Sequence, residues 1–103
     1  MTDPSRILTD IMYKTLFDKD TAELSQHFGV PYPADTQDND IRDRMGILAL
    51  EALIQVEKQM VKVSWGINSF EQMKIVTRMM SKHYAGIAKQ QAEKAGVDLL
   101  TGQ

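Results

Sequence analysis

Residues 45–56 read MGILALEALIQV, and of these twelve only Glu51 and Gln55 are polar. Those two stand four apart, on one strip of a helix. A surface helix of a monomer presents one apolar stripe and a wide polar face. This segment is apolar nearly all round. A chain of 103 residues has little interior in which to hide such a helix. The segment therefore points to a helical protein that works as an oligomer or against a partner.

Worked outward, the periodicity predicts a long helix from about residues 38–40 to Val63 or Ser64, roughly 35–38 Å at about 1.5 Å per residue. Its main stripe is Ile41, Met45, Leu48, Ala52, Val56, Met60 and Val63. A second stripe is Ile47, Leu50, Ile54 and Val61, with Leu53 on the border. Trp65-Gly66 ends the helix, with Gly66 suited to a left-handed cap. Ser69 followed by Gln72 reads as a capping box. It opens a further helix from Phe70 to about Lys94, stopped by Gly96. The large apolar residues of that helix are Phe70, Met73, Val76, Met80, Tyr84 and Ile87; Ala85, Ala88, Ala92 and Ala95 permit close helix approach. The link at residues 65–69 is short, so the two long helices form an antiparallel hairpin.

Upstream, Asp3-Pro4 is a good helix start, and Leu8, Ile11, Met12 and Leu16 form an apolar stripe. Asp18-Lys19-Asp20 breaks it. Asp20 and Glu23 then make a capping-box pair for a short helix that ends at Gly29. Pro31-Tyr32-Pro33 and the acidic run at residues 34–40 (ADTQDND) read as a connector. The tail at residues 97–103 (VDLLTGQ) is expected to be loosely held. The expected fold class is all-α: short N-terminal helices in residues 1–34, then a long antiparallel, coiled-coil-like hairpin in residues 35–103, together one compact domain.

Apolar residues make up 43% of the chain and charged residues 25%, which is a globular composition. There is no cysteine, so disulfides and thiolate metal sites are excluded. No apolar run reaches the roughly 18–20 residues of a membrane span, and the N-terminus lacks a signal-peptide pattern. The cytoplasm is the expected location. The net charge of −2 is unevenly spread: residues 1–43 carry nine acids and four bases, and residues 62–103 six bases and three acids. Acidic and basic ends can pair between copies, or both can be solvated faces.

Candidate chemistry is sparse. Residues 21–31 (TAELSQHFGVP) have the shape of the first helix and turn of a helix-turn-helix. The recognition helix would then fall on residues 33–42, where Pro33, Asp35, Asp38 and Asp40 stand and acids repel phosphate. Lys74, Arg78, Lys82 and Lys89 lie close to one helix face, a candidate contact for phosphate or for an acidic partner. His27 and His83 have no metal-ligand spacing, and Asp35, Asp38, Asp40 and Asp43 lack the glycine and terminal glutamate of a calcium loop. No metal, cofactor or enzymatic activity is expected. Met45, Met60, Met73, Met79 and Met80 form a methionine-rich seam, adaptable as core or as contact surface.

The lead-in TQDNDIRD at residues 36–43 and the helix entry NSFEQMKIVTRMM at residues 68–80 give a layout that resembles the small terminase subunits of tailed bacteriophages. The likeness covers roughly residues 35–95. It implies a ring-like homo-oligomer that helps a large terminase start DNA packaging, with the hairpin making the ring contacts. From the residues themselves, the expected function is a non-enzymatic homo-oligomeric assembly or adaptor protein, joined through Ile47, Leu50, Ile54 and Val61. Two alternatives stand beside it. One is a DNA-binding regulator that uses the basic face; the other is an inhibitor or chaperone that binds one protein partner through the apolar helix. No membrane partner is expected.

Overall fold

The computed structural model describes residues 4–30 and 41–103. The Asp3 cap, the Pro31–Pro33 turn, the acidic connector and most of the would-be recognition helix lie outside the described residues. Those that are described fold into four helices: α1 (Pro4–Phe17), α2 (Thr21–Phe28), α3 (Ile47–Ser64) and α4 (Phe70–Ala95). No strand occurs among them. The protein is all-α, with α3 and α4 as an antiparallel hairpin and α1 laid against α4.

The corner between α1 and α2 is made by local chemistry. Asp18 takes φ 61°, and its N–H reaches the Lys14 carbonyl at 2.9 Å to close α1. Aspartate tolerates this left-handed conformation better than most residues. Asp20 then caps α2. Its carboxylate accepts from the Glu23 N–H at 2.9 Å, while Glu23 accepts from the Asp20 N–H at 3.1 Å. Asp10 of α1 accepts from both the N–H and the hydroxyl of Thr21, which pins the start of α2 to α1. Gly29 ends α2 at φ 70°, as Gly96 ends α4.

The first arm of the hairpin departs from the sequence expectation. The helix begins at Ile47, not at residues 38–40. Ile41 and Arg42 form a helical turn that closes through Arg44 N–H to Ile41 O and Met45 N–H to Arg42 O, both at 3.1 Å. Gly46 is then extended, with φ −74° and ψ 169°. The cause is the C-terminal tail. The Gly46 N–H donates to the Leu100 carbonyl at 2.9 Å, and a Cβ on Gly46 would stand 2.7 Å from the Gly102 backbone. The tail is therefore docked and not loose, with Leu100 buried. Helix α3 is 18 residues, about 27 Å at 1.5 Å per residue.

Met12, Tyr13, Leu16 and Phe17 of α1, Leu24 of α2, Ile41, Met45, and Ala49, Ala52, Leu53 and Val56 of α3 form the core, with Ala85 and Ala88 of α4 and Leu100 of the tail. Helix α4 lies between α1 and α3, which touch each other only lightly. Its buried line is therefore small: Thr77, Ser81, Ala85, Ala88 and Ala92. The large apolar residues of the helix sit beside that line. Met73, Val76, Met80 and Tyr84 are half-buried, whereas Phe70 and Ile87 are exposed. Small side chains let two neighbouring helices approach α4 from adjacent sides.

Candidate interaction surface

At about 100° per residue, Ile47, Glu51, Ile54, Lys58, Val61 and Trp65 fall within an arc of about 80° on the outer side of α3. Ala49, Ala52, Leu53 and Val56 face the core on the opposite side. The apolar members of the outer arc are strongly exposed: Ile47 80%, Ile54 48%, Val61 63% and Trp65 87%. Glu51 and Lys58 are also exposed and enter none of the described ion pairs, which are Lys14–Glu23, Arg42–Glu57 and Lys74–Glu71.

Of the four residues selected from the sequence, Ile47, Ile54 and Val61 share this face. Leu50 is half-buried at its edge and packs against the core. Trp65 also belongs to the face, although in the sequence it stands out first as a helix end. The signal was present: Trp65 continues the helical conformation at φ −64° and ψ −27°, four residues after Val61.

Two grooves flank α3. One, of about 250 Å³, runs between α1 and α3 and is lined by Leu8, Thr9, Met12, Glu57, Met60 and Val61. It exists because α1 and α3 both rest on α4 and touch each other only lightly. The second, of about 190 Å³, lies between α3 and α4 beside Leu48, Gln55, Tyr84 and Ile87. Beyond the first groove, Arg42 ties the turn before α3 to its neighbours. Its Nη1 donates to Glu57 at 2.7 Å, and its Nε donates to the buried Tyr13 hydroxyl at 3.3 Å. Burial works against the Arg42 charge, but the hydrogen bonds to Glu57 and Tyr13 outweigh it, and the guanidinium is held firmly protonated.

The basic face of α4 is less open than its spacing suggests. Lys74 is bonded to Glu71 at 3.0 Å and lies 5.6 Å over the Phe70 ring. Arg78 borders a groove on α1 that also contains Asp10 and Asp20. Lys82 and Lys89 are exposed. His27 and His83 are exposed, each with its ring edge-on to the next aromatic, Phe28 and Tyr84. Among the described residues no group of His, Cys, Asp or Glu is placed to hold a metal ion, and no helix is long and apolar enough to cross a membrane.

No protein-family model, curated protein or solved structure matches the chain.

Proposed function

We propose that this is a non-enzymatic assembly or adaptor protein of the cytoplasm that acts as a homo-oligomer through the outer face of α3. The observation that carries this reading is the exposed stripe Ile47–Ile54–Val61–Trp65 on the side opposite the core. Full burial of one such side chain contributes about 1.5–3 kcal/mol, and each copy brings four. Association costs on the order of 4–15 kcal/mol. These side chains are already partly covered, Ile54 by about half, so two stripes packed together supply a gain of the same order as that cost, whereas scattered single residues supply far less. The layout shared with small terminase subunits suggests a setting, the start of viral DNA packaging.

Size exclusion coupled to light scattering tests the reading. The isolated chain at tens of micromolar should run at a multiple of the chain mass. A single-chain mass would overturn self-assembly, and would favour a protein that uses the same face to bind one different partner. A DNA-binding regulator is supported only by Lys82 and Lys89, because Lys74 and Arg78 have acidic neighbours. A gel shift on duplex DNA that disappears in Lys82→Ala/Lys89→Ala would support that role.

A further inference from the structure

On the outer face of α3 the apolar residues are spaced evenly about Ile54, and the charges on its two sides are opposite. Seven residues before Ile54 stands Ile47, and seven after it stands Val61. Glu51 lies three before, and Lys58 four after. A second helix laid antiparallel across the first, with Ile54 at the crossing, therefore meets apolar with apolar and acid with base. Parallel packing in register would instead set Glu51 on its own counterpart and Lys58 on its own. Like charges held together are destabilising, so the charge order selects the antiparallel arrangement.

The exposed apolar residues at the two ends of the face are equally spaced from Ile54. Ile47 is a projection at the start of α3, exposed to 80%. Val61, at the other end, borders the groove whose apolar lining is Leu8, Met12 and Met60. Ile47 and Val61 are each about 10.5 Å along the axis from Ile54 at 1.5 Å per residue. Two-fold packing about Ile54 thus sets each Ile47 against Val61 of the other copy. A two-fold interface requires this kind of self-complementarity.

We propose that the protein forms an antiparallel, two-fold homodimer in which α3 packs on α3 of a second copy. Ile54 lies at the axis, Ile47 packs on Val61 of the other copy, and Glu51 is paired with Lys58 across the interface. This rests on the self-assembly reading above and adds its partner, direction and register.

The chain has no cysteine, so introduced thiols report position directly. With a short bifunctional thiol reagent, Ile54→Cys should crosslink to itself. Ile47→Cys alone and Val61→Cys alone should not, but a mixture of the two should give a crosslinked heterodimer. Glu51→Lys and Lys58→Glu should each weaken self-association by about tenfold, since each places two like-charged pairs across the axis. Mixing these two variants should restore wild-type affinity, as should the double exchange. Self-crosslinking of Ile47→Cys, or no recovery on mixing, would overturn this packing while a multimeric wild-type protein still upheld self-assembly. A monomeric wild-type protein would overturn both.

Discussion

At Gly46 the backbone N–H donates to the Leu100 carbonyl, and the space where a Cβ would stand is filled by the backbone of residues 101–102. The clash partners are main-chain atoms and cannot swing aside. Gly46→Ala should therefore cost about 1–3 kcal/mol, the usual range for forcing an extra carbon into a packed site, and release the tail. Denaturant unfolding with limited proteolysis at residues 97–103 checks this; unchanged stability and protection would contradict it. Ser81 is the opposite case. Its side chain is fully buried on α4, and its hydroxyl has no hydrogen-bond partner. An unsatisfied buried hydroxyl costs about 1–3 kcal/mol, and alanine is the better helix former. Ser81→Ala should raise stability by about 1 kcal/mol, seen as a thermal midpoint several degrees higher. A lower midpoint would mean that the hydroxyl is satisfied.

Most helix termini with a local cause were legible from the sequence; Gly66, expected as a left-handed cap, is the exception, since α3 ends at Trp65 in right-handed helical conformation and Gly66 does not take a positive φ. Asp20 with Glu23, Gly29, Ser69 and Gly96 are caps whose partners lie within a few residues, and each caps where expected. The start of α3 was not legible, because Gly46 is set by a tail more than fifty residues away. The choice of the small line on α4 depends on α1 and α3 pressing from two sides, which periodicity within α4 does not encode. Leu50 illustrates the same limit. Its position near the outer arc of α3 suggested exposure, yet neighbouring elements half-cover it. Leu50→Glu should therefore lower the stability of the fold itself by about 2 kcal/mol. Ile54→Glu should leave the folded protomer within about 0.5 kcal/mol and change only association. Equal loss of helical signal in both variants would contradict this division. The start of α2 also has a pH signature. The Glu23 carboxyl is held below its ordinary range, first by the Asp20 N–H and then by Lys14. Its contribution is therefore present above the ordinary glutamate pKa of about 4.3 and fades as pH falls through the lower folded value. A carboxyl titration followed by NMR should give a midpoint below that of a model peptide; one at or above it would mean that the cap does not form.

For the molecule as a whole, one side of the hairpin is consumed by the core and the other carries an exposed apolar stripe. The N-terminal helices do not resolve this excess. Helix α1 rests on α4 and helps bound a groove beside α3 without covering Ile47, Ile54, Val61 or Trp65. The surplus first evident in residues 45–56 is thus narrowed to the exposed residues Ile47, Ile54 and Val61, the face through which the proposed dimer would form. Sedimentation velocity of wild-type protein and Ile54→Glu at tens of micromolar, with circular dichroism in parallel, tests this most directly. Wild type should sediment as an assembly of at least two chains, and Ile54→Glu as a monomer with the same helical spectrum. A monomeric wild type, or an assembly that Ile54→Glu leaves intact, would contradict it.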